Sequence, residues 1–251
     1  MTNLQLLLKS VELNPTNEEI YISMLVYART ESLTLNNGET LSYKQILLKI
    51  ISLNPRIPGM YFDLATKLKD NFESITLLSG EKMNKQKLIL HAIKLDPNEW
   101  ESYLLLANSL EGQEATVELA NGRRMNKMQL YLQTIKLNPY VESPYIGIAK
   151  EMKRHDAIRL PSGEVATKRQ IFLKAIHINP THDCIYYNIL EDLQDWETIT
   201  LLSGRVMTKH FFPDTETILL PSGENMTKRH LMQTFEFVQD RYHQSQYLHF
   251  H

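Results

Sequence analysis

One short motif returns five times along this chain of 251 residues. Its successive prolines are 40, 42, 42 and 41 residues apart. The copies are Leu13-Asn14-Pro15, Leu53-Asn54-Pro55, Leu95-Asp96-Pro97, Leu137-Asn138-Pro139 and Ile178-Asn179-Pro180. Self-similarity at such a period is the sequence signature of one supersecondary unit stacked on copies of itself. The sequence therefore predicts a repeat array.

A series of glycines repeats in phase with the motif. The glycines are 42, 42, 41, 41 and finally 19 residues apart: Gly38, Gly80, Gly122, Gly163, Gly204 and Gly223. Each follows two apolar residues that alternate with polar ones, as in Ile75 and Leu77, which is typical of a strand with one buried face. A turn residue and then glycine suit a type I turn closed by a left-handed residue. We expect a small β-hairpin in every unit.

Two helices complete the unit. Four residues after each glycine comes a side chain that can cap a helix: Ser42, Asn84, Asn126, Thr167, Thr208 or Thr227. The helix that starts there, helix B, should run for about three turns and end at the Leu-Asn-Pro motif, because proline cannot continue it. Helix A should follow the proline, near Asn17, Ile57, Asn98, Val141 and Thr181, with an apolar stripe such as Tyr103, Leu106, Ala107 and Leu110.

These residues resemble the tetratricopeptide repeats. In that family a large aromatic begins helix A, a leucine and a small residue follow, a small residue lies late in helix B, and a proline closes the unit. Those roles are matched in one repeat by Tyr103, Leu106, Ala107, Ala92 and Pro97. The usual unit has 34 residues, and the surplus here is the hairpin between helix A and helix B. The resemblance implies a mainly α fold, an α-solenoid of tetratricopeptide type with a small hairpin in each repeat.

The layout follows from these markers. We expect a single repeat domain over 1–251, with full repeats at 16–55, 56–97, 98–139 and 140–180. Residues 1–15 form an N-terminal capping helix, 181–212 a partial repeat, 213–241 a second hairpin with a C-terminal capping helix, and 242–251 a tail. The two last hairpins, around Gly204 and Gly223, lie only 19 residues apart. Because terminal repeats are usually atypical, they could join into a four-stranded patch.

Composition limits the partners. The 27 basic and 29 acidic residues nearly cancel, so the broad cationic field that favours nucleic acid or a membrane surface is not expected. One cysteine, Cys184, excludes an internal disulfide and a cysteine-cluster metal site. Neither a signal peptide nor an apolar run of transmembrane length is evident. We expect a soluble protein that is cytoplasmic, or secreted as an effector without a cleavable signal peptide, and that does not bind membranes.

The candidate partner groove lies on the concave side of the predicted array. It follows the face of helix A that points away from the helix-pair core, which we call the outer face. By the helical period, the residue after each repeat tyrosine and those four and seven later should point away from the helix-pair core. These are Ile22, Val26 and Arg29; Phe62, Thr66 and Lys69; Leu104, Asn108 and Glu111; Ile146, Lys150 and Lys153; Tyr187, Glu191 and Gln194. The first of each set is apolar and would bind anchors of a peptide or protein partner. The alternative is that neighbouring helices already cover these side chains.

Some tetratricopeptide proteins bind acidic chaperone tails through lysines and asparagines of helix A, and this chain does not reproduce that set. Its second candidate surface is a basic edge of lysines that directly follow the helix B caps: Lys85, Lys127, Lys168, Lys209 and Lys228. A cation is slightly unfavourable at a helix start. Either the glutamate after the turn glycine pairs with each lysine, as Glu164 would with Lys168, or the row meets an acidic partner.

No enzyme or cofactor motif accompanies the repeats. The histidines near the C-terminus do not have zinc-ligand spacing, and neither a phosphate loop nor a nucleophile elbow occurs. We therefore expect a non-enzymatic scaffold without metal or cofactor that binds a protein or peptide. A helical-repeat RNA-binding protein is an alternative that near-neutral charge disfavours, although Phe62, Tyr187, Lys150 and Lys153 leave it open. A self-assembling array, in which repeat ends stack into a homo-oligomer, is the other.

Overall fold

The protein is mainly α-helical and carries short pairs of antiparallel strands. This computed structural model describes residues 2–189 except 30, 113, 183, 184 and 187, and the backbone of 198–200, 206–208, 217–219 and 225–227. The chain divides into two compact units, Met1–Leu130 and Tyr131–His251. The division falls inside the helix Lys127–Leu137, which belongs to the predicted repeat 98–139.

The helices follow the repeat pattern of the sequence. Those of type B are α1 (Asn3–Leu13), α3 (Tyr43–Leu53), α5 (Lys85–Leu95), α7 (Lys127–Leu137) and α9 (Lys168–Ile178). Those of type A are α2 (Glu18–Met24), α4 (Pro58–Thr66), α6 (Trp100–Ser109) and α8 (Glu142–Glu151). Ser42, Asn84 and Thr167 cap their helices through the side chain, as predicted. Each helix of type B has 11 residues, or about three turns.

The strands form antiparallel hairpins between helix A and helix B. Their pairs are β1 (Leu33–Thr34) with β2 (Thr40–Leu41), β3 (Ser74–Thr76) with β4 (Lys82–Asn84), β5 (Thr116–Glu118) with β6 (Arg124–Asn126), β7 (Ala157–Arg159) with β8 (Val165–Thr167), β9 (Thr198–Thr200) with β10 (Val206–Thr208), and β11 (Thr217–Leu219) with β12 (Asn225–Thr227). Each described sheet has two strands. The predicted four-stranded patch was therefore wrong: β9 pairs with β10 and β11 pairs with β12, in two separate sheets.

The turn prediction is confirmed in the first four hairpins. In the second, the Gly80 amide donates to the Leu77 carbonyl at 2.9 Å, and the Leu77 amide donates to the Glu81 carbonyl at 2.8 Å. Gly80 has a φ of +89°, which places it in the left-handed region that residues with a Cβ avoid. The equivalent glycines have φ of +86°, +79° and +89°: Gly38, Gly122 and Gly163.

The Leu-Asn-Pro motif ends helix B and turns the chain toward helix A. The amide of Asn54 donates to the Ile50 carbonyl at 2.8 Å and so satisfies the last turn of α3. Its side-chain Oδ1 then accepts the Arg56 amide at 3.1 Å, which is an Asx turn across the proline. Asp96, Asn138 and Asn179 repeat the same acceptor geometry. This second bond favours Asn or Asp in the middle of these four copies of the motif. In the first copy, Asn14 Oδ1 accepts the Thr16 hydroxyl at 3.0 Å.

The core of each repeat lies between its helices and under its hairpin. In α3, Ile46, Leu47 and Ile50 are completely buried, and burying each such side chain contributes about 1.5–3 kcal/mol. In the second repeat the hairpin residues Leu77 and Met83 are buried as well, and strand β4 packs on α5. Within Met1–Leu130 each of the helices α2 to α5 packs on the helix before it and the helix after it. Within Tyr131–His251, α8 packs on α9.

Candidate functional site

A tyrosine near the start of each helix A sets the orientation of that helix. Its hydroxyl donates to the carbonyl of the proline six residues earlier, over 3.0–3.2 Å in all five repeats. The donors are Tyr21, Tyr61, Tyr103, Tyr145 and Tyr186. Burial raises the pKa of each phenol, so the hydroxyl stays protonated and keeps donating. With the tyrosine ring buried, the residue that follows it is turned to the outer side of helix A.

The first outer row is partly covered. Ile22, Phe62 and Leu104 are half-buried, which lies between the two alternatives of an open groove and a row covered by neighbouring helices. Ile146 is covered more fully, with 9% of its surface exposed. Tyr187 lies outside the described residues. In Met1–Leu130 the row therefore leaves part of three apolar side chains accessible.

Among the residues that the structure describes, those four and seven positions further on are exposed. Val26 is 64% exposed, and the other exposed members in the first unit are Arg29, Thr66, Lys69, Asn108 and Glu111. In the second unit Lys150 and Lys153 are exposed on and just after α8. Each unit therefore presents solvent-accessible side chains along the predicted face of helix A. In the first unit these are polar or charged except for Val26.

The loop after α4 is held by its own side chains. The Asp70 carboxylate accepts the amides of Phe72 and Glu73 at 2.8 and 2.7 Å, and these bonds lower its pKa. The Glu73 carboxylate accepts the Lys69 amide at 2.6 Å and the Lys44 ammonium at 3.1 Å, which lowers its pKa as well. Asn71 donates to the Ser109 carbonyl at the end of α6 at 2.7 Å. The end of one helix A is thus tied to the end of the next.

A second tie, at the other end of helix A, joins the start of that helix to the motif that closes the same repeat. Asn54 donates through Nδ2 to Glu18 of α2 at 3.1 Å, and Asn179 donates to Glu142 of α8 at 3.2 Å. Where the motif carries Asp96, the position equivalent to these glutamates holds Pro58, so two carboxylates do not face each other. These polar contacts favour one register between successive helices A.

The basic edge is more covered than the sequence suggested. Lys85 is half-buried, and its ammonium donates to the Leu68 carbonyl just beyond α4 at 3.2 Å. A cation there satisfies a free carbonyl at a helix end, which is a local explanation for its position. Lys127 and Lys168 are also half-buried and have partners of their own. Lys209 and Lys228 lie outside the described residues.

The glutamate after the fourth turn glycine has a partner in the middle of helix B. Glu164 pairs with Lys174 of α9 at 2.8 Å, ten residues later in the chain. The pair is possible because the hairpin folds back along the helices, so that its turn reaches the middle of helix B. A signal was present in the sequence of the first four hairpins: the residue seven after the cap is Lys49, His91 or Lys174 where the turn has glutamate, but Gln133 where the turn has Arg123. The expected pairing of Glu164 with Lys168 stays a prediction.

The described residues were also compared with the requirements of a metal site and of a membrane-spanning helix. Among the residues that the structure describes, no group of three or more His, Cys, Asp or Glu side chains could hold a metal ion. Cys184 and the histidines from His210 onward lie outside the described residues. In the same described part of the chain, no helix is both long enough and apolar enough to cross a bilayer.

Comparison with known proteins gave no assignment. A scan against protein-family models found no match, and a search of curated proteins found no significantly similar sequence. The function must therefore be argued from the repeat geometry and the outer face of helix A.

Proposed function

We propose that this protein is a non-enzymatic scaffold that binds a peptide or protein partner along the outer face of helix A. The repeats within each unit are taken to stack as a solenoid of tetratricopeptide type. Two observations support that arrangement: neighbouring helices of the first unit pack in sequence order, and every helix A carries the same tyrosine bond. Repeats that contact only their neighbours build extended binding surfaces.

One observation carries the binding proposal. In the first unit the outer row consists of the three apolar side chains Ile22, Phe62 and Leu104, each partly accessible and each at the same position of its repeat. Val26, the next outward residue in the first repeat, is an aliphatic side chain left 64% exposed. Helix faces of this kind accept apolar anchors of a partner, while the polar residues at the rim set its register.

The ties at the ends of helix A favour binding as well. A partner that spans several repeats gains most when the repeats are already held in place, because less conformational freedom is lost on association. The bonds from Asn71 to Ser109 and from Asn54 to Glu18 hold both ends of helix A in this unit. The face is therefore expected to bind without a large rearrangement.

A peptide-display selection on the intact chain tests the proposal. An enriched peptide would be titrated by calorimetry against Val26→Glu and Thr66→Glu, which place a charge on the outer face. Thr76→Glu is the matched control because Thr76 is exposed on hairpin strand β3. We expect each face variant to weaken binding about tenfold or more, or about 1.4 kcal/mol, and the control to bind as the wild type does. Loss of binding only in the control variant would refute the proposed site.

A further inference from the structure

In three described repeats, the residue seven positions after the helix B cap lies near the tyrosine of the same repeat or near the hairpin turn. The Lys49 ammonium lies 5.9 Å from the centre of the Tyr21 ring. In the fourth repeat the Lys174 ammonium pairs with Glu164 at 2.8 Å. The second repeat has His91 at this position. Among the described repeats, only the second therefore has a titratable imidazole at this position. The flanking repeats have a lysine or a neutral glutamine there.

His91 is held differently from those lysines. Its ring lies against the ring of Tyr61, with centroids 4.3 Å apart and planes inclined by 38°. A lysine can extend its ammonium past the tyrosine toward water and the turn glutamate, whereas the short imidazole stays in its half-buried position against α4. Burial lowers the pKa of His91, and the nearby Lys94 lowers it further, while Glu81 at the hairpin turn acts in the opposite direction.

We propose that His91 is an acid-sensitive element that loosens the β3–β4 hairpin from α4 and α5 when its imidazole is protonated. The neutral ring packs on Tyr61 of α4, and strand β4 of the hairpin packs on α5, the helix that carries His91. Protonation places a positive charge in that half-buried position, close to Lys94. The attraction of Glu81 does not offset the loss of hydration and the repulsion by Lys94. The proposal concerns the fold of one repeat and is independent of any partner on helix A.

The direction of the pH effect follows from linkage. Because the folded chain binds the proton less readily than the unfolded chain does, stability is fully present above the ordinary histidine value of 6.5 and declines as the pH falls below it. The loss ends once the pH is below the folded pKa. The hairpin amides of Leu77 and Gly80, which close the turn, should report this opening first.

The neighbouring repeats supply the test variants. His91→Gln copies the third repeat and His91→Lys copies the first and fourth, so neither carries a group that titrates between pH 7.5 and 5.5. His155→Gln is the matched control, because His155 is an exposed histidine. For the full-length chain we would measure the urea midpoint at both pH values, together with exchange protection at Leu77 and Gly80.

The expected result is a fall in midpoint and in hairpin protection between pH 7.5 and 5.5 that is larger in wild type and His155→Gln than in either His91 variant. An NMR titration of the His91 ring should also give a pKa below 6.5. Equal pH dependence in wild type and both His91 variants would overturn the proposal, as would a His91 pKa at or above 6.5. The two His91 variants test the same point independently if one of them folds poorly.

Discussion

Replacing Gly147 with alanine should destabilise the protein, although alanine is normally the better helix residue. Gly147 lies in α8, and a Cβ built on it would approach three ring carbons of Tyr131 on α7 to 2.4, 2.6 and 2.9 Å. Ordinary carbon contacts are about 3.5–4.0 Å, so the ring or the helix has to move. Tyr131 is 4% exposed, and burial raises its pKa to about 12. The ring therefore has little room to yield.

Two terms decide the size of the effect. Glycine to alanine inside a helix gains about 1 kcal/mol from backbone entropy, whereas overpacking a closed site costs about 1–3 kcal/mol. Because the contact would be very short and the ring is buried, we expect an overpacking cost near the upper end of that range. We therefore expect Gly147→Ala to lower the free energy of unfolding by about 1–2 kcal/mol, measured by urea denaturation followed by far-ultraviolet circular dichroism.

A double-mutant cycle separates the clash from other causes. Tyr131→Ile introduces the residue that the second repeat has at this position, Ile89, and removes the ring. In that background Gly147→Ala should become stabilising by about 1 kcal/mol, since only the helix term is left. The reasoning fails if Gly147→Ala stabilises the wild-type chain, or if it destabilises both backgrounds equally.

Three further changes test the repeat contacts, each read as a shift in the urea midpoint. Tyr103→Phe removes the hydrogen bond to the Pro97 carbonyl and should cost about 1 kcal/mol. Gly80→Ala should cost about 1–2 kcal/mol, because φ is +89° at a position with no neighbouring atom to clash. Asn54→Asp replaces a donor to Glu18 with a second carboxylate, and its cost, about 1 kcal/mol, should shrink as the pH is lowered through the carboxyl range.

Each of these has a control that the chain supplies. Gly59→Ala also meets no atom within 4 Å but lies in α4 without a positive φ, so it should not share the loss expected for Gly80→Ala. Glu18→Gln in the Asn54→Asp background removes one of the two facing charges and should restore part of the stability. If Tyr103→Phe is neutral, the repeated tyrosine bond does not stabilise helix A.

Helix caps, helix-ending prolines and turn glycines made the helices and hairpins predictable from the sequence. Caps such as Ser42 and Thr167, proline after helix B and a left-handed glycine in each hairpin all act within a few residues, so their positions in the sequence determine the local backbone. The predicted cap at Asn84 and the predicted type I turn at Gly80 were confirmed to the residue. Repetition strengthened these predictions because the same signal occurred several times.

Side-chain contacts between helices and hairpins were harder to predict from the sequence. The pair of Glu164 and Lys174 was not predicted, because the returning hairpin brings together residues that are ten positions apart in the chain. The tyrosine bond to proline was not foreseen, although the constant interval of six residues in every repeat is a signal that could have indicated it. Likewise, helical periodicity gives the direction of Ile22 or Ile146, but how far each is covered depends on the neighbouring repeats.

The central claim is that a partner lies along the outer face of helix A, and photo-crosslinking tests it most directly. A display-selected peptide carrying a photoreactive group would be irradiated with the intact chain, and the attached residues identified by mass spectrometry. The account predicts attachment on α2, α4 and α6 at or beside Ile22, Phe62 and Leu104. Attachment confined to the hairpins or to the type B helices α3 and α5 would contradict it.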